Sequence, residues 1–448
     1  MSNILRSAVG AVIASASLLL AAEADAASYL IVSNQSLPAD LSAQVNKAGG
    51  KLEKTYPFGL AVASSDNPKF ASSIKGVRAV IEDVGFTVSR PTMEVAGPEF
   101  GAEFGFPPNS GDDDFFFDLQ WGHNYVRAQQ AWTAGVRGAG ARVAVLDTGF
   151  DLDHPDLVPN INFALSADMT GEGLQYTLPD PFSHGTHTAG TIAAADNGFG
   201  VIGVAPEAEL VLVKVLTDEG SGSFEDIIAG IYHAASVDAD VMNMSLGTLI
   251  PRKGDAPGDA RFISELANAV GKAVTYATQQ GTTVIVSAGN DAHDLDGDGG
   301  MVRFMTGMPN VIGISAVAPF NWAGDPAGRD TLYPASYTNY GTSMVEFAAP
   351  GGDFLVPGED PCTVAGITVP CWVFDLVFST GNDGWYWSAG TSMAAPHAAG
   401  VAALIISANG GPMSPAKLVS AMRKAGLDLG KPGADDYFGR GGLVQSGY

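Results

Sequence analysis

Residues 142–157 read RVAVLDTGFDLDHPDL. The apolar run before Asp147 is typical of a strand covered on both faces of a parallel sheet, and Gly149 predicts a turn directly after it. Four later runs share this character, and amphipathic helices separate them. The sequence therefore predicts an α/β fold with a doubly wound, mostly parallel sheet. Its other strands are AELVLVKVL (208–216), DVMNMSLG (240–247), GTTVIVSAGN (281–290) and VIGISAV (311–317), and its clearest helices are 224–236 and 263–281.

Three polar side chains lie where a predicted strand ends or a small-residue helix begins. Asp147 closes its strand, His184 opens HGTHTAGTIAAA, and Ser392 precedes MAAPHAAG. In doubly wound sheets the functional groups gather beyond the carboxyl ends of the strands. A serine hydroxyl is a weak nucleophile, so an imidazole must take its proton and a buried carboxylate must orient that imidazole. The three segments indicate a serine hydrolase, and a serine that only caps a packed helix is the alternative.

A fourth segment, VIVSAGN, ends at Asn290. The uncharged side-chain amide of Asn290 can donate hydrogen bonds to an oxyanion without disturbing the charge of a nearby histidine. The backbone N–H of Ser392 lies at a predicted helix start, where amides lack partners within the helix, and supplies a second donor.

These segments resemble the subtilisin-like serine proteases. VLDTGFDLDHPDL, HGTHTAGTIAA and GTSMAAPHAAG match the three signatures of that family in the order Asp, His, Ser, and SAGN matches its oxyanion segment. The resemblance covers roughly 120–448. It implies a serine endopeptidase acting on polypeptides through an acyl-enzyme, with Asp147 as orienting carboxylate, His184 as general base and acid, Ser392 as nucleophile and Asn290 as oxyanion donor. A catalytically silent homologue that acts as a binding protein is the alternative.

The first 26 residues have the layout of a secretory signal. Arg6 precedes an apolar run from Ala8 to Ala22, and small residues flank a cleavage position after Ala26. A membrane anchor is the alternative, although a run of about 15 residues is short for a bilayer span. We therefore expect a secreted protein with no membrane segment in its mature form.

Residues 27–110 have the pattern of a small α+β unit that ends in a linker. The stretch 97–114, GPEFGAEFGFPPNSGDDD, is rich in Gly, Pro and Asp and has no periodic apolar face. The resemblance implies that this unit is an inhibitor-type propeptide, which assists folding, occupies the active site and is released autocatalytically within Val95–Gly111. The catalytic domain is then 111–448, and an independent extra domain at 27–110 is the alternative.

Composition excludes several classes of function. The chain of 448 residues is 46% hydrophobic, enough for a sizeable core, and its formal net charge is -25. Such a charge repels nucleic acid and anionic lipid surfaces. We therefore expect no nucleic-acid partner. We also expect the mature protein to be a monomer.

The segment AADNGFGVIGVAP, after the His184 helix, resembles the calcium loop of the same family. Calcium takes oxygen ligands. The resemblance implies a structural Ca2+ bound by an N-terminal residue among Asp112, Asp113 and Asp114, and by the side chains of Asp156 and Asn197 with the carbonyls of Ala195, Phe199 and Val201. A Gly-rich turn without an ion is the alternative.

A second acidic loop, DLDGDGG, spaces Asp294, Asp296 and Asp298 like the start of an EF-hand. The twelfth position of that motif is Met305 here instead of Glu, so the full motif fails. The loop is either a second calcium site of another geometry or a solvated acidic insertion.

The resemblance also places a substrate-binding strand at Ser245, Leu246 and Gly247, which would pair with an extended peptide. With Ala288 and Gly289, this strand would wall the pocket for the residue before the scissile bond. Because these residues are small, we expect a roomy pocket that accepts a large apolar side chain.

Export would allow Cys362 and Cys371 to form a disulfide, with two reduced thiols as the alternative. His187 and His397 lie in apolar helices without further ligand residues, so we expect both to pack in the core. Three segments interrupt the family pattern and have no predicted role; they are residues 251–262, 291–308 and 351–386.

Overall fold

The structure is a computed structural model that describes residues 26–88, 91–98, 114–254, 256–297, 299–326 and 331–448. The predicted signal segment lies outside the described residues except for Ala26. Asp112, Asp113 and Asp298, three of the candidate calcium ligands, also lie outside them.

The N-terminal unit is a four-stranded antiparallel sheet, in the order β2-β3-β1-β4, with two short helices. Two further strands, β5 and β6, continue from it. The apolar runs YLIVS (29–33), GLAVASS (59–65) and VRAVIEDV (77–84) predict β1, β3 and β4, but no such run predicts β2, the edge strand. The elements are β1 (Ala27–Val32), α1 (Leu41–Lys47), β2 (Gly50–Tyr56), β3 (Leu60–Ser65), α2 (Phe70–Ser73), β4 (Ala79–Glu82), β5 (Gly85–Thr87) and β6 (Met93–Ala96).

The unit predicted to be catalytic, residues 114–448 of the described ranges and called the catalytic unit below, is built on an eight-stranded sheet in the order β16-β15-β13-β11-β7-β9-β8, with β17 also on β15. All its pairings are parallel except that of β15 with β16, so the predicted doubly wound α/β fold is confirmed. Its strands are β7 (Arg142–Asp147), β8 (Ala167–Asp168), β9 (Glu209–Lys214), β10 (Ser221–Ser223), β11 (Val241–Met244), β12 (Thr248–Pro251), β13 (Thr283–Ser287), β14 (Met301–Phe304), β15 (Val311–Ala318), β16 (Tyr333–Pro334), β17 (Val345–Pro350), β18 (Pro361–Val364), β19 (Ile367–Pro370), β20 (Val377–Gly381) and β21 (Gly384–Ala389).

The helices cover both faces of this sheet. They are α3 (Gly122–Tyr125), α4 (Ala128–Thr133), α5 (His184–Ala193), α6 (Phe224–Ser236), α7 (Asp259–Gln280), α8 (Thr391–Ala408) and α9 (Pro415–Ala425), with 3-10 turns at Phe117–Leu119, Val158–Asn160, Trp322–Gly324 and Cys371–Asp375. Among the described residues, α8 alone is long and apolar enough to span a bilayer, and 89% of it is buried inside the protein. Its small residues allow close packing: a Cβ on Gly400 would lie 2.6 Å from the Val204 Cβ.

The N-terminal sheet packs on the catalytic unit. Alternate side chains of a strand point to opposite faces, so Ile31 packs with α1 and α2, whereas Leu30 joins the cluster that contains Ile231 of α6. Polar contacts accompany this packing. The Arg78 side chain donates to Glu265 at 2.6 Å, and the Ser28 hydroxyl donates to Glu225 at 2.7 Å.

The three segments of unpredicted role contribute to antiparallel strand pairs. β18 with β19 and β20 with β21 form hairpins, whereas β12 and β14 pair although α7 and β13 separate them in sequence. Cys362 on β18 and Cys371 after β19 form a disulfide with a Cα to Cα distance of 4.8 Å, as predicted. The β12–β14 pair brings residues from 248–251 and 301–304 together.

Candidate active site

The first pair of candidate residues is in hydrogen-bonding contact. β7 ends at Asp147, and α5 begins at His184 because Ser183 caps it, accepting a hydrogen bond from the Thr186 amide. The His184 Nδ1 lies 2.6 Å from the Asp147 Oδ1. Asp147 is fully buried, and its second oxygen accepts a hydrogen bond from the Thr188 hydroxyl. A buried carboxylate in this position fixes the ring and places the Nδ1 proton between the two side chains.

The environment of His184 acts on its pKa in two directions. Burial lowers the pKa, whereas the charge and hydrogen bond of Asp147 raise it, and the net pKa lies above that of an ordinary histidine. The Glu94 carboxylate also raises it. A raised pKa makes His184 a stronger base, as required of a group that takes a proton from a hydroxyl.

Ser392 is the second residue of α8 and is 5% exposed. Its hydroxyl donates to the Ser245 carbonyl at 3.2 Å, and the Ser245 hydroxyl donates to the Ser392 carbonyl at 2.7 Å. Among the described residues the Ser392 hydroxyl therefore donates to Ser245, not to His184.

Thr391 fixes the orientation of the Asn290 side chain. The Asn290 Oδ1 accepts hydrogen bonds from the Thr391 backbone amide at 2.9 Å and from the Thr391 hydroxyl at 2.8 Å. The same hydroxyl accepts a hydrogen bond from the Gly289 amide. With its oxygen held in this way, the Asn290 amide points its two N–H donors away from Thr391, and Asn290 and Ser392 line one cavity. Sequence reasoning missed Thr391, although its place beside Ser392 was a signal.

The cavity beside Ser392 contains most of the predicted substrate-binding residues. Ser245, Leu246, Gly247 and Gly289 line it. Ala288 does not line it: its amide donates to the Ile314 carbonyl and its carbonyl accepts from the Asn339 side chain, so this residue is part of the sheet.

The cavity is also smaller than expected. Its volume is about 20 Å³ with the segment at Val88 in place, so the expectation of a roomy apolar pocket is wrong for this structure. Two side chains narrow the cavity, Val88 and Arg303, and Arg303 belongs to the 291–308 segment, for which the sequence predicted no role. The Arg303 side chain lies against Gly289.

The segment that follows the N-terminal sheet crosses the candidate site. β5 pairs antiparallel with β10, and the Val88 amide donates to the Gly220 carbonyl at 3.0 Å. The Phe86 ring lies 4.7 Å from that of Phe224, and Val88 lines the same cavity as Ser392.

After residues 89 and 90, which lie outside the described ranges, the chain continues on the other side of Ser392. The Thr92 amide donates to the Ala389 carbonyl at 2.9 Å, and β6 pairs antiparallel with β21. The segment therefore lies extended along the cleft on both sides of the candidate nucleophile.

The candidate calcium loop wraps around Asp156. The Ala195 amide donates to the Asp156 carbonyl, and the Val201 amide and Trp385 Nε1 donate to the Asp156 Oδ2 at 3.0 and 2.9 Å. The Asn197 side-chain amide donates to the Pro155 carbonyl. The Asp156 Oδ1 is buried and has no hydrogen-bond partner among the described residues.

Asp114 lies beside this loop, because its carboxylate accepts a hydrogen bond from the Gly198 amide at 2.8 Å. The described residues contain no cluster of three or more His, Cys, Asp and Glu side chains suited to a metal. The loop instead offers carbonyls and one or two carboxylates, and the unpartnered Asp156 oxygen fits a bound cation.

The second acidic loop is held by its own hydrogen bonds. The Asp294 Oδ1 accepts from the amides of Asp296 and Gly297, and the Asp296 carboxylate accepts from Ser343 and Thr342. Asp298 lies outside the described residues, so a second calcium site stays a prediction.

Two buried histidines pack in the core as expected. The His187 Nε2 donates to the Val377 carbonyl, and the His397 Nδ1 lies 2.8 Å from the Met393 carbonyl. Burial lowers the pKa of His187 to about 3 and that of His397 to about 4. Both rings are therefore neutral near pH 7.

Comparison with known proteins agrees with this geometry. The sequence profile of the Subtilase family matches residues 138–441. The chain is 37% identical to the intracellular serine protease of Paenibacillus polymyxa, over 64% of this chain and 73% of that protein. It is 30% identical to subtilisin NAT of Bacillus subtilis subsp. natto, over 85% of this chain and 80% of that protein.

The fold also matches that of a solved structure. The epidermin leader peptide processing serine protease (EpiP) from Staphylococcus aureus superposes with a TM-score of 0.71, at 19% identity, over 94% of this chain and 97% of that one. At this identity the likeness concerns the fold alone.

Proposed function

Because the chain belongs to the subtilase family and is a serine endopeptidase, we propose that it cleaves polypeptides through an acyl-enzyme on Ser392, with Asp147 and His184 completing the triad. One observation carries this proposal. The Asp147–His184 hydrogen bond and the Asn290 amide held by Thr391 both lie at element ends, and Asn290 lines the same cavity as Ser392.

The proposed reaction begins at His184. Its Nδ1 proton is held by Asp147, so its Nε2 is the ring nitrogen that takes the proton of the Ser392 hydroxyl. For this step the hydroxyl turns from the Ser245 carbonyl toward the ring. The deprotonated oxygen attacks the peptide carbonyl, and His184 then gives the proton to the leaving amine. In the second half, His184 activates water, which hydrolyses the ester and restores Ser392.

The oxyanion that forms in each half is stabilised by two donors. One is the Asn290 side-chain amide, and the other is the Ser392 backbone N–H, which lies in the first turn of α8. Amides in the first turn have no partner within the helix, and the helix dipole favours negative charge there. Both donors are in place before the charge develops, which is the condition for strong stabilisation.

The proposal is tested with a fluorophosphonate probe and a peptide substrate. We expect the probe to label Ser392 in mature protein and to abolish peptide hydrolysis in proportion to labelling. A protein that folds, matures and binds peptides but neither reacts with the probe nor cleaves them would be the catalytically silent homologue.

Subtilases often bind calcium, and we propose that this chain holds one structural Ca2+ at the loop around Asp156. The ligands would be the side chains of Asp156 and Asn197 with the carbonyls of Ala195, Phe199 and Val201, and Asp114 as the N-terminal ligand. The ion would neutralise the buried Asp156 carboxylate and brace the loop that follows α5. No chemical step depends on it.

We expect Asp156→Asn to lower the melting temperature measured in calcium and to remove most of its response to chelator. The reason is that the substitution removes the buried charge that binds the cation, and a ligand that binds only the folded state stabilises it by RT ln(1 + [L]/Kd). Calorimetry with and without EGTA measures the effect. Glu359→Gln, an exposed carboxylate outside both candidate calcium loops, is the control. A wild-type melting temperature that does not respond to EGTA would contradict the site.

We also propose that residues 27–90 act as a propeptide that inhibits the precursor and is released by the protein itself. The segment 85–98 supports this, because it lies along the cleft with Val88 on one side of Ser392 and Thr92 on the other. The match to subtilisin NAT covers more of the chain than residues 111–448 alone, so the likeness reaches into this unit. The bond presented to Ser392 then lies between Val88 and Pro91, upstream of the Val95–Gly111 window expected from the linker.

We expect the mature protein to begin at residue 89, 90 or 91. N-terminal sequencing of purified wild-type protein measures this directly. The Ser392→Ala precursor should keep its full size under the same conditions, and Ser407→Ala, at the far end of α8, should mature normally. A mature start within 95–111, or maturation of the Ser392→Ala protein without another protease, would refute this placement.

We propose that the protein is exported through its first 26 residues and acts as a monomer. The disulfide supports export, because such bonds persist in oxidising compartments. An intracellular enzyme is the alternative. Detection of the mature form in the culture medium, with the Cys362–Cys371 bond formed, separates the two.

A further inference from the structure

The 291–308 segment delivers one buried cation to the substrate cavity. Arg303 lies on β14 opposite Leu249 of β12 and is 6% exposed. A Cβ built on Gly289 would lie 1.4 Å from the Arg303 Nη2, and one built on Gly247 would lie 3.9 Å from it. The guanidinium therefore lies between the two glycines that form opposite walls of the cavity.

Two N–H donors of the Arg303 guanidinium, at Nε and Nη2, lack an acceptor within the described residues. Its Nη1 donates to the Asp291 carboxylate at 2.9 Å. Its Nε is buried without a partner, and within the described part of the chain no residue accepts a hydrogen bond from Nη2. A buried charged donor without an acceptor costs about 1 to 3 kcal/mol or more. Because the folded protein bears this cost without an acceptor of its own, the site is suited to a ligand that supplies a hydrogen-bond acceptor to the guanidinium.

Asp291 does not neutralise this group fully. The Asp291 side chain is 41% exposed, and its Oδ2 also accepts from the Asn339 side chain at 3.0 Å. Its backbone amide donates to the Asn339 Oδ1, so Asn339 fixes its position. The result is a guanidinium with one face held by Asp291 and the other directed into the cavity.

The same cavity adjoins the reacting groups. Ser392, Asn290 and the 245–247 strand line it together with Arg303. The side chain of the substrate residue just before the scissile bond, here called the P1 side chain, is the one that reaches this cavity when its carbonyl lies at Ser392. In this chain Arg303 therefore faces P1.

We propose that Arg303 makes this protease select an acidic P1 residue, Asp or Glu, in place of a large apolar one, in peptides that it cleaves in trans. The bond within Val88–Pro91 has no acidic P1 residue, but the pairing of β5 and β6 holds it at the cleft within the same chain, and this high effective concentration offsets a poor P1 side chain. The inference rests on the proposed function of Ser392. A P1 carboxylate supplies the acceptor that the guanidinium lacks, and the pairing of planar guanidinium with carboxylate is the strongest side-chain hydrogen bond available. A large apolar P1 side chain would instead cover the guanidinium and leave the cation unpaired.

The experiment uses mature wild-type protein and peptide substrates that differ only at P1, with Glu, Gln, Ala and Phe. We expect kcat/KM to be about 10- to 100-fold higher for Glu than for Gln or Phe, the size of one charged hydrogen bond. Arg303→Met, which keeps the length of the side chain and removes its charge, should abolish that preference, so that the Glu and Gln substrates have similar kcat/KM. Arg261→Met, an exposed arginine of α7, should keep the wild-type ranking.

The outcomes are separable. If wild type cleaves Phe at P1 as well as or better than Glu, the inference is wrong, while probe labelling of Ser392 keeps the proposed function. If no substrate is cleaved and Ser392 is not labelled, the proposed function fails and the inference fails with it. If Arg303→Met does not fold, the wild-type ranking of Glu, Gln and Phe decides alone.

Discussion

Mature Ser392→Ala should hydrolyse peptides about 10⁶-fold more slowly than wild type in kcat, with substrate affinity changed little. Removal of the hydroxyl eliminates acyl-enzyme formation, whereas the cavity and the strand at 245–247 that bind the peptide stay intact. A loss of roughly this size was measured for the nucleophile of subtilisin, a relative of this chain. The residual rate would come from the oxyanion donors and binding alone.

The measurement has to separate chemistry from maturation. A Ser392→Ala precursor that keeps residues 85–98 in its cleft would be inactive for that reason alone. The variant is therefore matured in trans by affinity-tagged wild-type enzyme, which is then removed, and remaining wild type is quantified by active-site titration. Ser407→Ala, on the same helix and away from the cleft, is the matched control and should keep full activity.

A double variant tests whether the triad acts as a unit. If His184 serves only to activate Ser392, then His184→Ala added to Ser392→Ala should slow the reaction little further, because the first substitution has already removed the step that His184 assists. Single-variant losses that multiply in the double variant, or a Ser392→Ala protein with more than about one thousandth of wild-type kcat, would contradict the proposed roles.

The catalytic fold was predictable because its signals are local. The runs that form β7, β9, β11, β13 and β15 are apolar throughout. Strands need apolar residues at successive positions only when both faces of their sheet are covered. β2 was not predictable in this way. Its sequence, GKLEKTY, is polar because it is the edge strand of the N-terminal sheet, and only its pairing with β3 makes it a strand.

The candidate catalytic residues were predictable because each lies inside a recognisable segment. The residues that orient or adjoin these catalytic candidates were not predictable. Thr391 orients Asn290 across about a hundred residues of sequence, and Arg303 reaches the cavity only because β14 pairs with β12. Nothing in the letters MVRF indicates that the arginine, alone in an apolar strand, points toward Gly289. The apolar P1 pocket was expected from the small size of the residues that form its walls. Those residues do not indicate that Arg303 of β14, a strand distant in sequence, also lines the cavity.

The position of segment 85–98 in the cleft also depends on strand pairing, which the sequence does not show. The linker at 97–114 has the composition of an exposed, cleavable stretch, which led to the window at 95–111. The pairing of β5 with β10 and of β6 with β21 is the observation behind the proposed cut upstream of that window, and the window itself stays a prediction. Strand register is fixed by pairing partners and side-chain alternation, neither of which is visible in the composition of the linker.

Asn290→Leu should lower kcat by about 10²- to 10³-fold, equivalent to about 2.7 to 4 kcal/mol, and leave KM nearly unchanged. Leucine has a similar size but no N–H to donate. The expected split between kcat and KM follows because the hydrogen bond to the oxyanion is made in the transition state and not to the bound substrate. Steady-state kinetics on mature protein, with the melting temperature measured alongside, gives both values.

Asn290→Asp distinguishes a direct role from a supporting one. The Asn290 Oδ1 accepts two hydrogen bonds from Thr391, and aspartate retains that acceptor while it replaces the donating NH2 by a charged oxygen. If Asn290 served only to hold Thr391 at the start of α8, the aspartate variant would remain close to wild type in kcat. If the amide donates to the oxyanion, aspartate should be at least as slow as leucine, because it places a negative charge where negative charge develops. An aspartate variant with wild-type kcat would therefore remove Asn290 from the chemistry and leave the Ser392 backbone N–H as the main donor.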